Sequence, residues 1–247
     1  MSLYSGLDTS HLRVPEWQGA AWCIDHTLLR PEASRAQVVQ LCDEAAQFGF
    51  TSVMVNPTWV SFCASRLRDT PVKTGVVIGF PLGASVTTAK RLEADECLRL
   101  GADELDMVMN IGALKSADHA LVQTDIRALA DTCHDAGAIL KVILECTLLT
   151  NKEKELACEL SVAAGADFVK TSTGFSTGGA TLEDVALMKR VVGERCRVKA
   201  AGGIRSAADF AAMLKAGAER IGTSSSVNIM RELGAPGAQA ATPSRGY

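Results

Sequence analysis

Three lysines stand in unusual company: Lys141, Lys170 and Lys199 each lie in a short run of apolar, β-branched or small residues rather than on the polar face of a helix. A lone lysine in a strand is ordinarily a solvated edge or a snorkelling stem. Three in consecutive runs ask for another account. Adjacent strands lie about 4.8 Å apart, so Lys170 and Lys199 can face each other across one gap if their registers match. Two ammonium groups about 5 Å apart at an effective dielectric near 20 repel by roughly 3 kcal/mol. That repulsion, with desolvation acting in the same direction, takes one lysine from about 10.4 towards 8. Such an amine is partly neutral at physiological pH and can attack a carbonyl to form a Schiff base. Lys170, preceded by Phe168 and Val169 and followed by the turn-forming Thr171-Ser172-Thr173-Gly174, reads as the nucleophile. Lys199 reads as the perturbing cation. Asp106, within Glu104-Leu105-Asp106-Met107-Val108-Met109-Asn110, reads as a proton carrier, with a plain counter-ion as its simpler role.

A second constellation combines Gly202-Gly203, Ser224-Ser225-Ser226 and Gly174. Small residues after the last two strands of a barrel commonly bind phosphate through backbone N–H groups. Ser224 or Ser225 can equally cap the last helix. A phosphorylated substrate is the expectation.

The elements that must position these residues can be read from the chain's rhythm. Eight apolar runs recur, at 23–28, 52–56, 75–79, 104–110, 140–145, 168–171, 197–201 and 220–223, alternating with segments of helical spacing such as 36–48, 88–100 and 153–164. Gly49, Gly101, Gly137, Gly165, Gly193 and Gly217 each follow a helical segment and precede a strand, the place of a left-handed helix cap. Eight such units in 247 residues predict a single-domain (β/α)8 TIM barrel. The rival, a doubly wound open sheet, usually carries GxGxxG after its first strand, which is absent here. Residues 1–20 read as an N-terminal extension, 21–233 as the barrel and 234–247 as a mobile tail.

The composition, 47% hydrophobic and 21% charged with a net charge of -3, suits a soluble globular protein and gives no reason to expect nucleic acid or membrane as partner. The eight cysteines are scattered without CxxC and read as buried thiols in a reducing cytoplasm. The opening residues lack the charged and apolar regions of a secretory signal. No cofactor or metal is expected: His11, His26, His119 and His134 form no HxH or HxxxH pair, and His26 reads as a hydrogen-bonded wall residue.

The segments Ile24-Asp25-His26-Thr27-Leu28-Leu29, Val55-Asn56-Pro57, Gly79-Phe80-Pro81-Leu82-Gly83, Glu104 to Asn110, Val169-Lys170-Thr171-Ser172-Thr173-Gly174-Phe175 and Lys199-Ala200-Ala201-Gly202-Gly203-Ile204-Arg205 together resemble the deoxyribose-phosphate aldolase family. The resemblance runs from Asp25 to Ser226. It implies a class I aldolase that reversibly splits 2-deoxy-D-ribose 5-phosphate into D-glyceraldehyde 3-phosphate and acetaldehyde, with Lys170 as Schiff-base lysine and Asp106 and Lys199 as proton donor and acceptor residues. By the same similarity Asp25, Thr27 and Lys141 line the pocket and Gly202, Gly203, Ser224 and Ser225 hold the phosphate; Thr171 and Gly174, which follow Lys170, are read as substrate-binding beside them, and family similarity suggests a homodimer. Two positions depart from the pattern: Met54 stands where relatives often have cysteine, and Glu145-Cys146-Thr147 replaces the usual Glu-Thr-Cys. Tyr247, closing the tail, is a further candidate to reach the site. Two other readings are a catalytically silent sugar-phosphate-binding barrel and a phosphosugar isomerase, the latter wanting an acid and base pair rather than an amine.

Overall fold

The computed structural model describes residues 16–238. Its strands are β1 (Ile24–Leu28), β2 (Ser52–Val55), β3 (Lys73–Ile78), β4 (Glu104–Val108), β5 (Ile139–Ile143), β6 (Phe168–Lys170), β7 (Arg197–Ala201) and β8 (Arg220–Thr223). All pair in parallel in chain order, and β1 pairs with β8 to close the barrel. The helices are α1 (Glu16–Ala21), α2 (Arg35–Phe48), α3 (Val60–Leu67), α4 (Thr87–Arg99), α5 (Ile111–Lys115), α6 (His119–Asp135), α7 (Asn151–Ala163), α8 (Leu182–Val192), α9 (Ala207–Lys215) and α10 (Ser226–Glu232). This is the (β/α)8 barrel that the alternating runs predict. None of the described helices is long and apolar enough to cross a membrane.

Local sequence sets these boundaries. Ser34 with Gln37 starts α2, Thr150 with Glu153 starts α7 and Ser206 with Asp209 starts α9, each a reciprocal cap satisfying two backbone donors that the helix leaves open. At the other end of α2, Gly49 takes φ 70° and its N–H returns to Ala45 O, so the chain reverses into β2 without a side-chain clash.

The period of two along the strands separates two interiors. Val53 and Val55, Leu105 and Met107, Leu140 and Val142, Val169, Val198 and Ile221 are wholly buried and join the apolar layer beneath the helices. The alternate positions point into the barrel. There the β2–β3 side keeps apolar Met54 and Val77, packed with Leu29 and Phe80. The remaining wall carries charge: Asp25 on β1, Glu104 and Asp106 on β4, Lys141 on β5, Lys170 on β6, Lys199 on β7 and Arg220 on β8, all buried. Phe168 forms a ring beneath this cluster, with the Arg220 guanidinium 5.4 Å from its centroid.

Candidate active site

Register decides the site. Lys170 on β6 pairs directly with Lys199 on β7, and Lys199 with Arg220 on β8, while Asp106 on β4 pairs with Lys141 on β5. The three lysines therefore face inward rather than onto opposite surfaces, and Asp106 is their common partner. Its Oδ2 accepts from Lys170 Nζ at 2.8 Å and from Lys199 Nζ at 2.7 Å, and its Oδ1 accepts from Lys141 Nζ at 2.8 Å. Sharing one oxygen holds the Lys170 and Lys199 nitrogens within about 5.5 Å of each other, where like charges repel by roughly 3 kcal/mol at an effective dielectric of 20.

The three lysines differ in how many carboxylates they meet. Lys141 lies 2.7 Å from Glu104, 2.8 Å from Asp106 and 3.7 Å from Asp25. Burial opposes its charge, but those carboxylates outweigh burial and hold its pKa above the ordinary lysine value. Lys199 bonds to Asp25 as well as Asp106. Lys170 has Asp106 alone among the described ion pairs. Burial is the largest influence on it, Asp106 pulls the other way, and Lys199 and Lys141 add repulsion, so its pKa falls to about 8. Lys199, the perturbing cation expected from the sequence, ranks below desolvation, because Lys170 is only 3% exposed.

The cluster also contains partners that do not stand out in the sequence. Asp25 Oδ1 accepts from Ser52 Oγ at 2.8 Å and from Arg220 at 2.6 Å, and Arg220 reaches Glu104 at 2.9 Å. Burial alone would raise the carboxyl pKa of Asp25, but Arg220, Lys199 and Lys141 together hold it well below the usual range. Burial is likewise outweighed at Asp106, by Lys141, Lys170 and Lys199. Arg220 and Glu104 have the same signature that identifies the lysines, a charged residue inside an apolar strand run.

Four cations thus face three carboxylates in one ion-paired network. With every group charged, one positive charge is unbalanced in the buried interior. Loss of a proton from Lys170 removes that imbalance. The electrostatics favour a neutral amine at the lysine with the fewest acidic neighbours.

The predicted phosphate residues meet above this network. Gly174, Gly202, Gly203, Ser224 and Ser225 line one cleft of about 270 Å³, and Ser176, Thr177 and Arg205, which were not among the expected phosphate residues, line it too. Gly202 and Gly203 have φ 89° and 83° in succession, a backbone turn open to glycine and suited to presenting N–H groups to an anion. Gly222 forms part of the cleft wall. A Cβ there would meet Lys199 Cε at 3.1 Å and Nζ at 3.8 Å, so its missing side chain leaves the cleft adjoining the lysines.

Other predicted positions are placed differently. Thr27 shares the inward face of β1 with Asp25, and its hydroxyl donates to Asp25 O at 2.9 Å. Thr171 Oγ1 donates to Ala201 O and accepts from Ala201 N, bracing β6 against β7. Ser225 stands at the start of α10 but makes no side-chain cap. His26 points out of the barrel to Ser226 and Glu44, as a hydrogen-bonded wall residue should. Seven cysteines are buried thiols; Cys23 is half-buried. Tyr247 lies outside the described residues.

A closed parallel barrel with an amine-rich interior beside a glycine-lined cleft directs comparison to known aldolases. The model of the DeoC/LacD family aldolases matches residues 20–232. The chain belongs to that family. Its relatives include the deoxyribose-phosphate aldolase of Geobacillus sp. (strain WCH70), 56% identical over 84% of this chain and 92% of that protein. That of Lysinibacillus sphaericus is 54% identical, over 87% and 96% respectively. Among solved structures, the tetrameric deoxyribose phosphate aldolase of Aeropyrum pernix superposes with a TM-score of 0.82 at 36% identity, covering 87% of this chain and 91% of that one. In this DeoC/LacD aldolase the charged half of the barrel and the cleft are built by β4 to β8 and the loops that follow them, with Asp25 of β1 completing the network.

Proposed function

We propose that the protein is a class I aldolase that reversibly cleaves 2-deoxy-D-ribose 5-phosphate to D-glyceraldehyde 3-phosphate and acetaldehyde. The observation that carries this reading is the shared Asp106 oxygen, which keeps a buried Lys170 amine beside the Lys199 cation.

In the cleavage direction the neutral Lys170 amine adds to the C1 aldehyde of the open-chain sugar. Loss of water leaves a protonated imine. The C3 hydroxyl then gives up its proton and the C2–C3 bond breaks, its electron pair passing into the imine to form an enamine. D-glyceraldehyde 3-phosphate leaves. Protonation of the enamine carbon regenerates an imine, and water releases acetaldehyde and the free amine. Asp106 and Lys199, both within hydrogen-bond reach of Lys170 or of its partner, hold and pass these protons. Gly174, Gly202, Gly203, Ser224 and Ser225 receive the phosphate, and Asp25, Thr27, Lys141 and Thr171 form or brace the sugar's surroundings. The imine is the electron sink, so the step needs no metal. A sensor barrel would leave the unbalanced cation unused, and an isomerase would not need it.

A cytoplasmic homodimer is part of the same proposal. The unpaired cysteines suit a reducing compartment, and the dimer follows from family similarity, although the Aeropyrum pernix relative is tetrameric.

Borohydride reduction in the presence of acetaldehyde tests the chemistry. The protein should gain a stable two-carbon adduct on the peptide holding Lys170, Lys170→Ala should abolish it, and EDTA should leave cleavage intact. An adduct on another lysine, or none with active protein, would refute the assignment.

A further inference from the structure

Glu145, one step beyond the inward face of β5, has two features that the lysine chemistry does not use. It is buried at 2% exposure, and it adopts the left-handed conformation at φ 56°, ψ 65°, which is unfavourable for a residue carrying a Cβ. A buried carboxylate in a strained backbone needs a compensating interaction.

Its Oε2 accepts the Thr173 N–H at 3.2 Å and also the Thr173 hydroxyl. Thr173 Oγ1 in turn accepts from Phe175 N at 3.0 Å. The carboxylate is therefore a hook on the segment that leaves β6 immediately after Lys170. Glu145 Oε1 has no hydrogen-bond partner, nor does the buried Ser172 Oγ beside Thr173 in the chain. The left-handed turn at Glu145 leads into a short 3-10 turn at Cys146–Leu148. From there Thr147 Oγ1 donates to Ser176 Oγ at 3.3 Å, and Thr147 Cγ2 occupies the space beside Gly178, where a Cβ would approach it to 2.7 Å. Across the cleft, Ala180 N donates to Gly202 O at 3.0 Å and Gly179 packs on the Gly202 backbone. The loop 173–180 is thus held on both sides, and it supplies one wall of the glycine-lined cleft.

We propose that Glu145, with Thr147, is a positioning residue that presets the loop after β6 for the phosphate end of the substrate, leaving imine formation at Lys170 unaffected. The inference rests on the aldolase reading. The side chain fixes the start of the loop and the strained backbone aims Thr147 at its middle.

The test compares Glu145→Gly, Thr173→Val and Glu145→Gln with the unaltered protein. Glycine suits the left-handed backbone while deleting the hook, valine keeps the shape of threonine without its hydroxyl, and glutamine keeps an oxygen able to accept from Thr173. In E145G and T173V, KM for 2-deoxy-D-ribose 5-phosphate should rise about tenfold with kcat changed less than about twofold, the loss expected for a hydrogen bond to a charged group. Inorganic phosphate should weaken as a competitive inhibitor to the same extent. Cleavage of unphosphorylated 2-deoxy-D-ribose and borohydride trapping of acetaldehyde should stay at the unaltered level, and E145Q should recover most of the lost affinity. Equal losses with both sugars, or an unchanged KM in T173V, overturn the inference, and T173V decides it if E145G does not fold. An unaltered protein that neither cleaves the phosphorylated sugar nor forms the adduct overturns the aldolase reading instead.

Discussion

At the scale of single residues, chemistry is assigned by the count of charged neighbours, not by residue type. Lys141, Lys170 and Lys199 carry the same side chain on adjacent strands and are all buried, yet Lys141 is surrounded by three carboxylates while Lys170 meets one among the described ion pairs. Lys170 is taken down, to about 8, whereas Lys141 is held above the ordinary lysine value. On the proposed mechanism the amine is protonated and inert below that value and free to attack above it. Trapping with acetaldehyde should therefore accelerate as pH rises through about 8 and level off beyond it. Lys199→Met removes a repelling charge and leaves Asp106 more fully available to the Lys170 ammonium. Both changes raise the Lys170 pKa, so the ascending limb should move up by about one to two pH units. Lys199→Arg retains the charge and should hold the limb near its original place. A limb that stays fixed in Lys199→Met would mean that burial alone sets the nucleophile. Reading trapping rate instead of full turnover separates this effect from any loss of proton transfer by Lys199.

At the scale of elements, the strands with their two faces were legible and the helix packing was less so. Apolar runs and the glycines following helical segments locate all eight strands because a parallel barrel buries both strand faces and leaves a left-handed cap between helix and strand. Lys170, Lys199 and Asp106 stand out because charge in such a run is costly. Glu104 and Arg220 carry the same signal. The role of Glu145 was not legible, since its meaning depends on Thr173 lying opposite it across two loops. Lys90 was hidden for a different reason. It lies in a polar-looking helix, where lysine normally marks the solvated face, yet it is fully buried, donating to Asp125 at 2.6 Å and to Val108 O at the end of β4 at 2.9 Å. Its stem also covers Gly79, with a Cβ there coming within 3.0 Å of Lys90 Cε. This ion pair joins α4 to α6 and ties them to the ends of β3 and β4. Lys90→Met leaves Asp125 charged and unpaired and should cost about 3–5 kcal/mol, lowering the thermal midpoint by roughly 10 °C. Lys90→Met combined with Asp125→Leu should recover most of that loss, because neither charge then remains buried. Thermal unfolding followed by circular dichroism checks both. A double variant no more stable than the single one would show that the Val108 contact, not the pairing, supports the strand end.

For the whole molecule, the buried ion-paired network is a source of instability that the surrounding barrel must offset. The four buried cations exceed the three carboxylates by one charge, and Lys170 is where that excess is felt. The sign follows from linkage. A lysine lowered to about 8 in the folded state but near 10.4 when unfolded binds its proton more weakly in the native protein. Below pH 8 it is charged in both states and folding carries the whole penalty, about 3 kcal/mol at 1.36 kcal/mol per unit. Between pH 8 and about 10.4 the unfolded chain holds the proton and the native protein does not, so stability rises with pH, and above that range the penalty is gone. Lys170→Met removes the charge and brings the network to three cations against three carboxylates. It should abolish catalysis while raising the thermal midpoint at pH 7 by several degrees. The difference between the variant and the unaltered protein should shrink steadily towards pH 10. A variant equally stable to its parent at pH 7, or a difference indifferent to pH, would mean that Lys170 is comfortably charged in the native barrel. The nucleophile would then have to be generated only after substrate enters.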